Sequence, residues 1–270
     1  MKFFVVDRGD ETSIQLADKF RKLAQQFGMI LDEVAPELVV SIGGDGTMLH
    51  AFHMFKDRAD NIAFVGVHTG RLGFFADWMP HELEQLMVLI HAPEETSTRR
   101  LVHYPLIDIE IVTDLGTEQH TALNEFTIKG ITETLVVQLN INDDIFEVFR
   151  GDGIVISTPS GSTAYNKSLG GALLHPSVEA IQIAEIASIN NRVYRTLGSS
   201  MVLPKHHHCD IIPQRKNRLL LAIDHINEMR EDIVSIRCKV SSRKIAFARY
   251  RPFPFWRRVR EAFIDLDVQQ

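Results

Sequence analysis

The run VVSIGGDGTML, Val39–Leu49, constrains this 270-residue chain more than any other stretch. A largely apolar run of strand length leads directly into three glycines and one carboxylate. Met48, Phe52 and Phe55 then recur at helical spacing. This is the pattern of a buried strand passing into a helix through a glycine loop. Neighbouring segments repeat it. Lys2–Val6, Glu37–Ile42 and Ile62–Val67 read as strands. Ile14, Ala17, Phe20, Leu23 and Phe27 form a helical stripe with Thr12 or Ser13 as cap and Gly28 as stop, and Leu83, Leu86, Met87 and Ile90 form another after Asp77 and Pro80. Such alternation predicts an α/β N-terminal domain on a mostly parallel, Rossmann-like sheet. Ligands of such sheets lie at the carboxyl ends of the strands, where GGDG and HTGRLGF (68–74) both fall.

Near residue 98 the period changes. Ile107, Ile109 and Ile111 alternate with Asp108 and Glu110, and Leu135, Val137, Leu139 and Ile141 repeat the alternation up to a hairpin turn at Asn142–Asp144. Gly153–Ser157, Met201–Leu203, Leu219–Ile223, Ile233–Val240 and Lys244–Ala248 read as further strands, and Val178–Ser188 as one helix. The expectation is an α/β domain over 1–100 and a mainly β domain over 101–248.

A formal charge of −6 argues against a general nucleic-acid or membrane-surface binder, which would carry a basic surplus. Two cysteines give no disulfide framework, and with no signal peptide or membrane-spanning run the chain reads as cytoplasmic.

GGDG is neither a Walker A loop nor a dinucleotide fingerprint, since Leu49 stands where the third glycine would be. Gly43, Gly44 and Gly46 can adopt backbone angles closed to other residues and let a phosphate approach the chain, beside the free amides of a helix starting near Thr47. A carboxylate would repel that phosphate. Asp45 makes sense there if a hydroxyl must lose a proton beside it, or if magnesium lies between. A carboxylate of pKa about 3.9 is a weak base, yet suffices where the transition state is loose and needs mostly positioning. Spacing alone leaves a second reading, that Asp45 caps the helix.

Two further constellations stand out. In RGDGIVISTPSGSTAYNKSLGGALLHP (150–176), the hydroxyls of Ser160, Ser162, Thr163 and Ser168 suit sugar and base edges, and Tyr165 could stack on a base. The competing reading is an exposed irregular loop. In ALNEFTI (122–128), Asn124 and Glu125 interrupt an apolar strand, as a binding pair or as a bulge or edge position.

Together, GGDGTML, the NE pair of ALNEFTI and the 150–176 segment, with MVLP (201–204) and FPFWRRV (253–259), closely resemble the NAD kinase family in its short bacterial form. The resemblance implies a two-domain NAD kinase-like fold whose tail, 249–270, returns to the N-terminal domain. It implies phosphorylation of the 2′-hydroxyl of the adenosine ribose of NAD by ATP, giving NADP, with a divalent metal (Mg²⁺) carried mainly by the substrate phosphates. Asp45 would be the proton acceptor, with Gly46 beside it and Gly43, Gly44, Gly46 and Thr47 as the phosphate loop. Asn124 and Glu125 would hold ribose hydroxyls and the phosphate region. Asp152, with Arg150, would lie near the nicotinamide riboside. Thr163, Ala164, Tyr165, Asn166, Lys167 and Ser168 would grip the dinucleotide, with Ser160 in the same loop. Ala187 and His225 would line the rest of the pocket, and Leu72 and Phe74 would close on the adenosine side. The family is commonly tetrameric, so a homo-oligomer, tetramer or dimer, is implied. Lipid kinases carry similar glycine loops but need an apolar groove that the polar 157–168 segment does not suggest. A non-catalytic dinucleotide sensor would tolerate loss of Asp45.

Other features read as structural. His206–His208, consecutive on a strand end, cannot easily converge on one ion. Arg257, Arg258 and Arg260 beside Phe253, Phe255 and Trp256 suggest a packed amphipathic segment. Cys209 and Cys238 suit buried small side chains.

Overall fold

The structure, a computed structural model, describes residues 1–70, 73–93 and 97–265. The chain divides into two compact units, Met1–Tyr104 with the segment from Ile245 onward, and Pro105–Lys244.

In the first unit the elements are β1 (Lys2–Asp7), α1 (Glu11–Gln26), β2 (Ile30–Leu31), β3 (Leu38–Gly43), α2 (Asp45–Met54), β4 (Ala63–His68) and α3 (Leu83–Ile90). The strands pair in parallel in the order β2-β1-β3-β4. Every residue of β3 and β4 is buried, which is why these strands are apolar runs and not alternations. Leu83, Leu86 and Met87 of α3 and Ala17, Phe20 and Ala24 of α1 join the sheet's core. Two details differ from expectation. The cap of α1 is Asp10, whose carboxylate accepts from the Ser13 amide at 3.2 Å, so Thr12 and Ser13 lie inside the first turn. Ile14 faces outward, because the buried stripe runs through Ser13. Gly28 ends the helix region at φ +72°, as expected.

The second unit holds β5 (Arg100–Thr113, its first residues in the first unit), β6 (Gly116–Ala122), β7 (Glu125–Gly130), β8 (Leu135–Ile141), β9 (Asp144–Gly151), β10 (Gly153–Ser157), the single turn α4 (Tyr165–Ser168), β11 (Ala180–Ile186), β12 (Met201–Pro204), β13 (His208–Pro213), β14 (Leu219–Ile223), β15 (Ile226–Arg230) and most of β16 (Ile233–Arg249). One antiparallel sheet runs β12-β11-β10-β7-β14-β15, and β16, β13, β8 and β9 are successive strands of a second sheet, in which β5 also pairs with β16 and β6. Ile128, Ile154 and Leu221 of the first share one core with Leu139, Ile211 and Ile236 of the second, a sandwich. The helix expected at Val178–Ser188 is instead strand β11, paired between β10 and β12. Its first five residues are all buried, so both faces of the strand are covered, the two-residue period is lost, and the sheet decides. The two strands expected at 233–240 and 244–248 are one. Arg243 spans the polar break by donating to Thr121 Oγ1 at 2.8 Å. After β16 comes α5 (Phe255–Phe263), within the first unit. Among the described residues no helix is long and apolar enough to cross a membrane.

Candidate active site

The first unit carries the glycine loop. β3 ends at Gly43, Gly44 caps α2 from extended backbone (φ −100°, ψ −170°), and Asp45 is the helix's first residue. None of Gly43, Gly44 and Gly46 has a positive φ, so unusual backbone angles do not explain them. Space does. A Cβ at Gly43 would lie 2.1 Å from Thr47 Oγ1, whereas at Gly44 and Gly46 it would meet nothing within 4 Å. The latter two open onto a cleft of about 290 Å³ lined also by Asp7, Arg8, Thr47 and His50. Asp7 and Gly43 end parallel strands, where such sheets bind ligands.

Asp45 does not cap its own helix; Gly44 holds that position without a side-chain bond. Its carboxylate reaches the loop after β4 instead. The Phe74 amide donates to Oδ1 and Oδ2 at 3.1 and 2.9 Å, and the Phe75 amide to Oδ1 at 3.1 Å. Burial pushes the Asp45 carboxyl above the usual carboxylate range, against the opposing pull of those amides and of Arg258 and Arg249. Phe74 meets Asp45 through its backbone, while its ring stacks on Phe263 of α5 at 5.7 Å. Leu72 lies outside the described residues.

In the second unit, ALNEFTI is not one strand. β6 stops at Ala122 and β7 starts at Glu125, leaving a corner at Leu123–Asn124. One carboxylate holds that corner: Asp224 accepts from the amides of Leu123 (2.9 Å), Asn124 (2.7 Å) and Glu125 (3.1 Å). The TPSGSTAY segment is packed onto the corner. Thr158 donates through its amide to Asn124 O at 2.8 Å and through its hydroxyl to Leu123 O at 2.7 Å. A Cβ at Gly161 would stand 2.1 Å from Asn124 O, so only glycine permits the approach. Asn124 Oδ1, Glu125 Oε2 and Ser160 Oγ are buried and make no hydrogen bond among the described residues. Burial, with the nearby Asp224 charge, pushes Glu125 up to about 8.

The 157–168 segment is therefore no solvent-exposed loop. Ser160 and Ser162 are buried, and the Ser162 hydroxyl is spent inside, donating to Pro159 O at 2.7 Å and accepting from the Leu174 amide at 2.9 Å. Thr163 Oγ1 donates to Ser160 O at 3.1 Å, and the amide of Ala164 closes the turn onto Gly161. Asn166, wholly buried, gives its side-chain amide to the Ala172 carbonyl at 3.4 Å. Tyr165 is half-buried with the Lys129 ammonium 4.6 Å from its ring centre, and Lys167 and Ser168 are exposed. Asp152 stands exposed between β9 and β10, with its amide on Ile186 O (2.9 Å). Gly151 lets the chain pass the Ala187 carbonyl, where a Cβ would come within 2.9 Å, and Ala187 takes φ +46°. The Arg150 guanidinium lies 4.2 Å from the Tyr194 ring. His225, exposed, follows Asp224 in the β14–β15 turn.

Sequence reasoning missed Gly73, Asp77, Arg249 and Arg258 around Asp45, and Asp224 and Lys129 in the second unit. Arg258 did leave a signal: with Phe255 and Val259 it forms the buried stripe of α5, where an arginine needs a partner. The histidine run is not a strand end as a whole, and only His206 is exposed. His206 and His207 lie in a turn and His208 opens β13. His208, Asp143 and Asp210 come close enough to hold a metal ion, but Arg237 already bridges both carboxylates at 2.8 and 2.6 Å. Cys209 and Cys238 are buried cross-strand neighbours, and burial pushes Cys209 up to about 12.

Two family descriptions match this chain, the ATP-NAD kinase N-terminal domain over residues 7–94 and the ATP-NAD kinase C-terminal domain over 123–249. The chain is 53% identical to NAD kinase 1 of Bacillus subtilis (strain 168) over 268 residues, 98% of each chain. It is 50% identical to NAD kinase 1 of Bacillus cereus (strain ATCC 10987 / NRS 248), covering 98% of this chain and 99% of that one. The crystal structure of yeast NADH kinase complexed with NADH superposes with a TM-score of 0.80 at 18% identity, over 100% of this chain and 89% of that one. An NAD kinase from Archaeoglobus fulgidus in complex with ATP gives 0.72 at 19% identity, over 93% and 94%. An α/β unit on a parallel sheet, a β-sandwich unit, and matches that run through both units place this chain in the ATP-NAD kinase family.

Proposed function

We propose that this chain phosphorylates the 2′-hydroxyl of the adenosine ribose of NAD, with ATP as donor. The bond from ribose oxygen to γ-phosphorus forms, the β–γ bridge bond breaks, ADP departs, and the hydroxyl proton goes to Asp45. The observation that carries this reading is the seat of Asp45. It is a half-buried carboxylate at a strand's carboxyl end, fixed by two amides, beside a glycine-lined cleft. Gly44 and Gly46 leave room for donor phosphates at the start of α2, with Arg8, paired to Asp10, also lining the cleft. Both Asp45 oxygens already accept hydrogen bonds, so a magnesium ion fits better as part of the ATP substrate than on dedicated protein ligands.

The second unit supplies the dinucleotide's grip. Asn124 Oδ1 and Ser160 Oγ can meet ribose hydroxyls. Glu125, pushed up to about 8, holds a proton at neutral pH and can lie beside phosphate without repelling it. Tyr165, backed by Lys129, can stack on adenine, with Asp152 and Arg150 toward the nicotinamide end and Ala187 and His225 lining the rest of the pocket. A cytoplasmic homo-oligomer, tetramer or dimer, belongs to the same reading. Incubation with NAD, ATP and magnesium tests it: NADP forms with wild type. Asp45→Asn folds and binds NAD but loses most turnover. Tight NAD binding by wild type with no NADP would make the chain a sensor.

A further inference from the structure

Asp45 is seated by a loop, and the loop has its own clamp. Gly73–Asp77 turns its amides toward Asp45 and its carbonyls toward the C-terminal segment. Arg258 Nη1 donates to Gly73 O at 2.9 Å and to Ala76 O at 2.5 Å, and its Nη2 to Asp77 Oδ1 at 2.7 Å. Arg249 takes the other Asp77 oxygen and donates to Phe75 O at 3.4 Å. The Phe253 ring lies 4.1 Å from the Arg249 guanidinium and 4.5 Å from that of Arg258. Arg249, Arg258 and Asp77 are all buried.

We infer that Arg258 is a positioning residue for Asp45, fixing the Gly73–Asp77 loop that seats the carboxylate and placing a positive charge near it. The inference rests on the phosphoryl-transfer reading of Asp45. The charges close: Asp45 and Asp77 against Arg249 and Arg258 sum to zero, so protonating Asp45 leaves a buried surplus of one positive charge. Burial pulls Asp45 toward the neutral acid. The charges opposing it are Arg258 and Arg249, alongside the Phe74 and Phe75 amides. Around Arg258 itself stand Asp77, Arg249, Asp45 and Glu261. A purely structural ion pair would need only Asp77. This guanidinium also spans two carbonyls of the segment whose amides hold the carboxylate. Lysine cannot copy that, because an ammonium is a point donor where a planar fork is used.

The test compares Arg258→Gln and Arg258→Lys with Arg257→Gln, a control on the exposed face of the same helix. For Arg258→Gln, kcat falls at least about tenfold at neutral pH, KM for NAD stays unchanged, and the acid limb of kcat moves up by about one pH unit, as loss of one nearby opposite charge requires. Arg258→Lys loses kcat with a smaller displacement of the limb. Arg257→Gln behaves as wild type. A folded Arg258→Gln with wild-type kcat and limb overturns the inference, as does an equal loss in Arg257→Gln. If Arg258→Gln does not fold, Arg258→Lys decides: kcat falling alone supports it, and unchanged kcat or a rise in KM alone overturns it. The ¹³Cγ titration of Asp45 in wild type and in Arg258→Lys reads the same coupling without turnover. An inactive wild type would therefore sink the phosphoryl-transfer reading while the titration still judges Arg258.

Discussion

Gly73→Ala tests the seat of Asp45 without touching the carboxylate itself. A methyl group at this position would stand 2.2 Å from Asp45 Oδ1, 2.6 Å from Cγ and 2.8 Å from Oδ2. Non-bonded carbon contacts settle near about 3.5 Å, so carboxylate and loop must separate by roughly 1 Å. At that separation the Phe74 and Phe75 bonds, now 2.9–3.1 Å, are stretched or lost. Overpacking of this kind costs about 1–3 kcal/mol of stability, which a domain of ordinary stability survives. The effect on rate is larger, since a displacement of about 1 Å at a reacting group costs on the order of a hundredfold. The expected variant is folded, with a slightly lower melting temperature, an unchanged NAD dissociation constant by calorimetry, and kcat for NADP formation down by roughly a hundredfold. A folded Gly73→Ala with kcat within about threefold of wild type, under ~0.7 kcal/mol of barrier, would show that the amide seat does not set turnover.

Gly46→Ala should separate stability from function: its Cβ enters open space at the start of α2, so the melting temperature holds or rises, by about 0.4–1 kcal/mol of stability, while KM for ATP increases. An unchanged KM would remove the cleft from donor binding. The protonated Glu125 makes stability depend on pH: the folded state keeps a proton that the unfolded chain releases above about pH 4.5, so stability falls as pH rises from there through about 8. Glu125→Gln should flatten the melting-temperature profile across that window by at most about 1.4 kcal/mol per pH unit, and equal slopes would contradict the assignment. Asp224→Asn cannot keep three amides satisfied with one carbonyl oxygen; it should lower the melting temperature, weaken NAD binding and let Glu125 titrate lower, and a wild-type NAD dissociation constant would separate the corner from the dinucleotide.

Some of this architecture was legible because burial leaves a one-dimensional trace. β3 and β4 are buried throughout, so their sequences are almost wholly apolar, with Ser41 and His68 as the buried polar exceptions. β14 alternates against one core and falls on the expected residues, Leu219–Ile223. β11 misled because five successive buried residues erase the period that separates strand from helix. At the candidate site, Asp45 stood out between two glycines, but Phe74 and Phe75 hold it through backbone amides, a contribution no side chain advertises. Asp224 was invisible for a related reason: it serves a corner about a hundred residues upstream, and only the register of β7 against β14 brings them together.

Asp45 and Glu125 are both carboxylates raised by burial, yet they differ in what opposes the rise. Two backbone amides and two guanidiniums pull Asp45 back toward the ionised form. Glu125 has no such counterweight, since its named neighbour, Asp224, adds like charge and pushes the same way. The two environments therefore differ in kind: fixed donors oppose the rise at Asp45, and none does so at Glu125 among the described residues. Near neutrality Glu125, at about 8, retains its proton and cannot take one from a hydroxyl. The acceptor role proposed above therefore suits the acid whose burial is opposed by fixed donors, Asp45. Its desolvation makes it a stronger base than a surface aspartate, while Arg249, Arg258 and the loop amides limit how far that gain is spent on simply holding a proton.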